Sequence, residues 1–268
     1  MNVFLKIVLI IVALIIFLKF ASYVFSNKST VQDNIADGTI LSVIPADSLD
    51  KGTVGNNNFS YSTWFYVSDW NYRYGEYKVI LGRMSAPSSS TTSSFNGING
   101  IGPCPVIYLG QTQNNISIQQ NCYKGVNNPD TTTPPPPAGT PPPTQPNDIV
   151  STCVVSNIPI QKWVNLIVSV YGRTLDVYID GKLVKTCLLP GIAKVNSNAD
   201  LLITPNGGFN GWTSRTQYWA TPMNPDQAWD IYSKSFKNTN LISMFLPDYS
   251  VKVSVINNSN HHENNYTL

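Results

Sequence analysis

Two residue types that serve catalysis in many enzymes are scarce in this 268-residue chain. Glutamate occurs only at Glu76 and Glu263, and histidine only at His261 and His262 in a polar C-terminal segment. The rest of the chain therefore has no histidine that could activate a nucleophile or bind zinc. A glycosidase needs two neighbouring carboxylates, and the two glutamates are far apart. We predict that the protein is not an enzyme and uses no cofactor or metal.

Charge is also scarce. Only 12% of the residues are charged, about half of the usual fraction of about 25%. The 17 Lys+Arg and 15 Asp+Glu leave a net charge of +2, and no basic run is available to bind a phosphate backbone, which argues against nucleic acid as a partner. Low charge combined with 11% aromatic residues is typical of broad protein interfaces.

An apolar stretch at residues 3–25 is interrupted only by Lys6, Lys19 and Ser22. About 20 apolar residues suffice to cross a bilayer, and the two lysines can extend their stems toward the two interfaces. We predict a transmembrane anchor over residues 1–28, with a lipid membrane as partner. The alternative is a cleaved signal peptide; the apolar residues beyond Lys19 favour the anchor.

Alternation of apolar and polar residues predicts strands over most of the chain after the anchor. The segments are 59–67, 78–82, 106–109, 115–119, 163–171, 175–179, 182–187, 201–204 and 245–256. The strongest signal is the pair Asp180-Gly181, a preferred two-residue hairpin turn, between two of these segments. We predict an all-β, antiparallel, two-sheet sandwich of jelly-roll type.

One short helix is predicted near residues 225–233. Asn224 can cap it, Pro225 fits the first helical position, and Asp226 suits the positive end of the helix dipole.

The composition divides the rest of the chain into segments. Residues 29–56 are predicted to form a polar stalk with a first strand, and residues 57–256 the sandwich. A Pro-rich stretch at 127–148 cannot pair in a sheet and is predicted as a surface loop. Residues 257–268 are predicted as a polar tail.

Three motifs resemble the laminin-G-like form of the concanavalin A-like lectin/glucanase superfamily. They are YSTWFY at 61–66, IPIQKWVNL at 158–166 and LDVYIDGKL at 175–183. This resemblance implies a jelly-roll sandwich with a lectin-like fold.

A later run is similar to membrane-anchored virion proteins of nucleocytoplasmic large DNA viruses. It comprises GGFNGW at 207–212, YW at 218–219 and NPDQAWDIY at 224–232. The resemblance implies a minor capsid type of structural protein that links the internal membrane of the virion to the capsid shell. Its partners would be the shell or other virion proteins.

The alternative function is a membrane-displayed lectin that binds host or virion glycans. Two groups of aromatic residues are the candidate contacts for a glycan or a partner protein. They are Trp70, Tyr72 and Tyr74, and Trp212, Tyr218 and Trp219.

Four cysteines, none in a C-x-x-C pair, suit disulfides better than zinc. We predict Cys104–Cys122, at the open end of the hairpin 106–119, and Cys153–Cys187, which flank the central strands. Cys122–Cys153 pairing and four reduced thiols remain alternatives. Oxidised cysteines would place the domain in a lumen, outside the cell or on a virion.

Overall fold

The computed structural model describes residues 29–53, 57–86, 94–95, 98–99, 101–123, 148–234, 252–256 and 263–267. The predicted membrane anchor, nearly all of the Pro-rich loop and part of the tail lie outside these residues. None of the helices in the described ranges has the length and apolar character needed to cross a membrane.

The described residues form two antiparallel sheets, which confirms the all-β, two-sheet prediction. The seven-stranded sheet contains β1 Thr30–Gln32, β2 Ala36–Asp37, β4 Phe59–Asp69, β11 Trp163–Tyr171, β12 Thr174–Ile179, β13 Lys182–Leu188 and β15 Asn210–Trp219. The six-stranded sheet contains β3 Ser42–Ile44, β5 Lys78–Ala86, β8 Ile101–Leu109, β9 Asn115–Tyr123, β10 Asp148–Ser156 and β14 Leu201–Ile203. Two further pairs are β6 Ser94–Phe95 with β7 Ile98–Asn99, and β16 Lys252–Ile256 with β17 Glu263–Thr267.

The order of strands places β4 at the centre of the seven-stranded sheet. The order is β1-β15-β4-β11-β12-β13, with β2 also beside β15, and in the six-stranded sheet it is β10-β9-β8-β5-β14-β3. Apolar side chains from alternate positions of β4, among them Phe59 and Phe65, pack with Leu166 and Val168 of β11 and with Ile107 of β8 in one core. The core therefore lies between the two sheets, as period-two patterning requires.

Within the described ranges, the outer face of each sheet is partly covered by short elements. Ile98 of β7 packs with Met84, Val106 and Tyr108 on the six-stranded sheet. On the seven-stranded sheet, the cover is the helix α1, Pro225–Ser233, whose Ala228 packs against Ile167 and Tyr178.

Local chemistry explains the central hairpin and the helix. Asp180 and Gly181 have φ values of 50° and 74°, the left-handed conformation that a primed two-residue turn requires. At the helix, the Asn224 side chain accepts the Gln227 backbone N–H, and the Gln227 side chain accepts the Asn224 N–H, so a full capping box is formed. The predicted helix cap is confirmed.

The segment predicted as a stalk belongs to the sheets in part. Strands β1 and β2 pair with β15, and β3 pairs with β14. The polar composition of this segment suits short strands at the sheet edges, where one side faces solvent.

One predicted disulfide is confirmed. Cys153 of β10 and Cys187 of β13 are bonded, with their Cα atoms 6.0 Å apart. Since β10 and β13 are the edge strands of different sheets, this bond joins the two layers of the sandwich along one side.

The other predicted disulfide, Cys104–Cys122, is not formed; both residues are buried thiols. The hairpin β8–β9 exists, but its pairing ends at Val106 opposite Gln119. Beyond that point, Cys122 forms an isolated antiparallel β-bridge with Ala193. The backbone of the segment 192–194 makes hydrogen bonds to the backbone of β9. This segment takes the place beside β9 that Cys104 was expected to occupy. Burial also raises the pKa of the Cys122 thiol, which disfavours the reactive thiolate.

Candidate functional site

Three aromatic side chains form a line across the outer face of the seven-stranded sheet. Trp212 of β15 lies directly opposite Tyr66 of β4, which in turn lies opposite Trp163 of β11. The Tyr66 ring centroid is 5.3 Å from that of Trp212 and 5.9 Å from that of Trp163. We call these three residues the aromatic row.

The aromatic row is open to solvent at the end formed by β15. Trp212 is 44% exposed, and Tyr66 and Trp163 are half-buried. The rings are not coplanar, because neighbouring planes are inclined by 59° and 60°. The surface that they present is therefore corrugated rather than flat.

Helix α1 closes the adjacent part of this face. Tyr232 stacks on Trp64, with ring centroids 5.7 Å apart, and Trp229 packs against Tyr232 at 5.5 Å. Trp64 is buried under the helix, whereas Trp229 is 51% exposed. The helix thus covers Trp64 but leaves the aromatic row outside.

Charged groups lie at both ends of the aromatic row. Asp37 of β2 is opposite Trp212. At the other end, Lys162, next to Trp163 in the chain, forms a 3.2 Å ion pair with Asp180. Asp180 also accepts the Asn165 backbone N–H at 2.9 Å. The row is an aromatic centre with a polar margin.

A bulge in β15 decides which of its aromatic residues face outward. Trp212 and Trp219 are an odd number of positions apart, so regular alternation would place them on opposite faces. The register shifts between Ser214 and Gln217, and Arg215 there has φ of 45°. The extra residue turns Trp219 to the outer face and Tyr218 into the core.

Tyr218, a predicted contact residue, is therefore unable to meet a partner at the surface, since it is 3% exposed. Its ring lies 4.8 Å from that of Tyr61, and the Arg83 guanidinium is 5.6 Å from the Tyr218 ring centroid. Arg83 is itself buried and donates to the Ala199 carbonyl at 3.0 Å. Burial raises the pKa of both Tyr61 and Tyr218.

The first predicted group, Trp70, Tyr72 and Tyr74, does not form a common surface with the aromatic row. Trp70 packs against the core, with the Lys78 ammonium 4.7 Å from its ring centroid. Burial, and next the charge of Arg73, lowers the pKa of Lys78. Tyr72 donates to the Gly207 carbonyl at 3.1 Å. Tyr74 alone is largely exposed, at 59%.

Metal binding has no support in the described ranges, which hold no group of three or more His, Cys, Asp or Glu side chains suited to a metal ion. Glu76 forms an ion pair with Arg73.

The chain matches no protein-family model and no curated protein. Neither comparison supports the resemblance to virion proteins, which stays a prediction.

Solved structures similar to this chain include two botulinum neurotoxin domains. One is the receptor-binding domain of the C/D mosaic serotype, at 11% identity and a TM-score of 0.47 over 78% of this chain and 44% of that one. Another is the serotype D ligand-binding domain in complex with N-acetylneuraminic acid, at 9% identity and a TM-score of 0.47 over 77% of this chain and 50% of that one. The chain thus spans half or less of the length of these structures. At such low similarity, the match has no implication for function.

Two residues of the aromatic row, Tyr66 and Trp163, were not among the predicted contact residues. Both lie in segments that the sequence identifies as strands. The missing information was the register between strands that are far apart in the chain, since Tyr66 pairs with both Trp163 and Trp212 and only this register brings the three rings into one line.

Proposed function

We propose that this chain is a non-enzymatic structural protein of a virion. In this proposal residues 3–25 anchor it in the internal membrane, and the sandwich docks on the capsid shell. The observation that carries the docking role is the aromatic row, a partly exposed line of large rings across three strands. The membrane anchor is inferred from the apolar stretch in the sequence. The capsid shell as partner is inferred from the similarity to membrane-anchored virion proteins.

The aromatic row has the chemistry of a protein-docking surface. Trp and Tyr are enriched among the residues that contribute most to binding energy, and such residues are surrounded by a polar margin that excludes water. Trp212 supplies the exposed ring, while Asp37 and the Lys162–Asp180 pair supply the margin. A structural link of this kind requires no catalytic group.

The tilt of the rings favours a protein over an extended glycan on this surface. Neighbouring ring planes are inclined by 59° and 60°, so Trp212, Tyr66 and Trp163 offer no single flat platform for a row of stacked sugar faces. A protein partner can instead pack its side chains against each ring separately. The lectin alternative therefore receives no support from the aromatic row.

The test is cross-linking of native particles, read by mass spectrometry. Lys162 is exposed beside the row, whereas Lys51 forms an ion pair with Asp47 in a different part of the chain. We expect cross-links from Lys162 to shell subunits, and few from Lys51. Particles that carry Trp212→Ala should lose the Lys162 cross-links while the protein stays in the membrane fraction.

Tyr171→Ala is the matched control, because Tyr171 is an exposed aromatic residue at the far end of β11 from Trp163. It should leave the cross-links unchanged. Abundant protein without any cross-link from Lys162 to the shell would show that the proposal is wrong. Equal losses in both variants would show that the aromatic row is not the docking surface.

A further inference from the structure

Four large aliphatic side chains are exposed on residues 35–43, the segment that runs from the edge of the seven-stranded sheet to the edge of the six-stranded sheet. They are Ile35, Ile40, Leu41 and Val43, each between 48% and 64% exposed. Single exposed apolar residues are ordinary on a protein surface, whereas a contiguous group of them marks a contact surface. We call these four residues the apolar edge patch. None of them belongs to the aromatic row.

The backbone of this segment is fixed to the sandwich. The Gly38 N–H donates to the Gly211 carbonyl at 2.8 Å, and the Gly38 carbonyl accepts the Phe209 N–H at 3.0 Å. The Thr204 hydroxyl donates to the Ile40 carbonyl at 2.7 Å. Because these hydrogen bonds hold the segment in place, its apolar side chains stay at the surface, where a partner can cover them.

The patch lies on the side of the sandwich at which the chain arrives from the apolar stretch 3–25. The segment begins beside β1 and ends in β3, and these two are the terminal strands of their sheets, at the edge opposite to the disulfide. Only residues 26–29 separate the apolar stretch from Thr30. Ile35 follows Thr30 after five positions, so their Cα atoms are at most about 18 Å apart. A bilayer that holds residues 3–25 is therefore close to this edge.

The charge of the segment decides which part of a bilayer it fits. Residues 29–50 contain no Lys or Arg, and both Asp33 and Asp37 are exposed there. Hydrogen bonds from the Thr39 backbone N–H and hydroxyl lower the pKa of Asp37, which keeps this carboxylate ionised. Such a segment is not attracted to anionic headgroups. Its contact with a bilayer has to come from burial of the aliphatic side chains.

We propose that the apolar edge patch inserts into the interfacial region of the bilayer that holds residues 3–25. This inference rests on the membrane anchor of the proposed function and adds a second contact to it. An anchor alone leaves the sandwich free to rotate about its linker. Insertion of the patch fixes which edge faces the lipid, and it places β10 and β13, at the opposite edge, farthest from the bilayer.

The experiment uses the full-length chain, with isotope-labelled isoleucine methyl groups, in phosphatidylcholine nanodiscs that contain a lipid with a nitroxide at the top of its acyl chain. The nitroxide broadens the NMR signals of nearby methyl groups. We expect the signals of Ile35 and Ile40 to lose most of their intensity. Ile192 is the internal control, because it is similarly exposed and its carbonyl accepts the N–H of Tyr123 at the end of β9, beside the opposite edge. Its signal should keep its intensity.

A double variant tests the patch itself. Ile40→Ser with Leu41→Ser removes its centre and should restore most of the Ile35 intensity. The matched control is Leu183→Ser with Val184→Ser, since these two aliphatic residues are also exposed and adjacent, on the terminal strand β13 at the opposite edge. It should leave the broadening of Ile35 unchanged.

The lipid composition tests the nature of the contact. Phosphatidylserine in place of part of the phosphatidylcholine should reduce the broadening of Ile35, because an anionic surface repels Asp33 and Asp37; stronger broadening would contradict the proposal. A chain that is held in the nanodiscs but whose Ile35 and Ile40 signals match that of Ile192 would overturn the inference and leave the anchor intact. A chain that does not co-purify with the nanodiscs would show that the anchor is wrong, and the inference fails with it.

Discussion

The two faces of the seven-stranded sheet differ although they are built from the same strands. On β4, Phe65 points inward, is fully buried and packs edge-on against Phe209 at 6.3 Å. The next residue, Tyr66, points outward and lies in the aromatic row. The inner face is closed by the second sheet, and among the described residues the outer face is covered where α1 lies on it. Under the proposed function, alternate residues of one strand therefore serve stability and docking separately, so each can be altered without the other.

The largest expected effect is at the inner face. Phe65→Ala should lower the free energy of unfolding by about 3–5 kcal/mol, because it leaves a cavity in a closed core. Trp212→Ala, on the outer face, should lower it by about 1 kcal/mol or less. Urea unfolding of the full chain, followed by circular dichroism, measures both. Equal losses would break the distinction between the two faces.

The next effect concerns the disulfide that joins the edges of the two sheets. The two cysteines are 34 positions apart in the chain. Replacing both by serine should therefore lower the free energy of unfolding by about 3–4 kcal/mol, as expected for a closed loop of this size. Hydrogen exchange should quicken in β10 and β13 more than in β4.

A reductant supplies the control for the disulfide. It should destabilise the native chain by a similar amount and leave the double variant unchanged. A native chain whose unfolding curve is the same with and without reductant would show that the bond adds little to stability.

The smallest effect is a dependence on alkaline pH that belongs to the inner face. Burial raises the pKa of Tyr61 and Tyr218, so both stay protonated in the folded chain when the unfolded chain begins to ionise near pH 10. The unfolded state then binds fewer protons, and stability falls as pH rises above about 10. The slope is at most about 1.4 kcal/mol per pH unit for each tyrosine.

Urea midpoints measured across this pH range test the slope. Tyr218→Phe removes one of the two ionisable groups, so it should reduce the slope by up to half. An unchanged slope in this variant would show that Tyr218 ionises as easily in the folded chain as in the unfolded one.

Elements with strong local signals were predictable from the sequence. The hairpin at Asp180-Gly181 and the helix cap at Asn224 depend on neighbouring residues only, and both are confirmed. Strand β15 was not predicted, because its sequence is polar, contains Gly211 and is interrupted by the bulge at Arg215. Strand β10, which follows the Pro-rich stretch, was not predicted either.

The candidate site was predictable only in part, because its geometry depends on contacts between residues that are distant in the chain. Trp212 and Trp219 were identified by residue type, but their common face depends on the bulge, which also turns Tyr218 into the core. The Cys104–Cys122 prediction failed because the inserted segment 192–194 lies far away in the chain. The pairing register of distant strands, and the placement of a distant segment beside a strand, cannot be inferred from the neighbouring residues of a single sequence.

If residues 3–25 anchor the chain as proposed, the pairing of β1 with β15 limits the distance between the sandwich and the bilayer. Only residues 26–29 separate the apolar stretch from Thr30, which pairs with Gln217. At about 3.6 Å per residue, the chain from Phe25 to Thr30 spans at most about 18 Å. With residues 3–25 in the internal membrane, as proposed, the linker between anchor and domain is short, and the domain can contact only subunits close to the bilayer. The gap between bilayer and shell would then be set by the thickness of the fold itself, which would act as a spacer of fixed height.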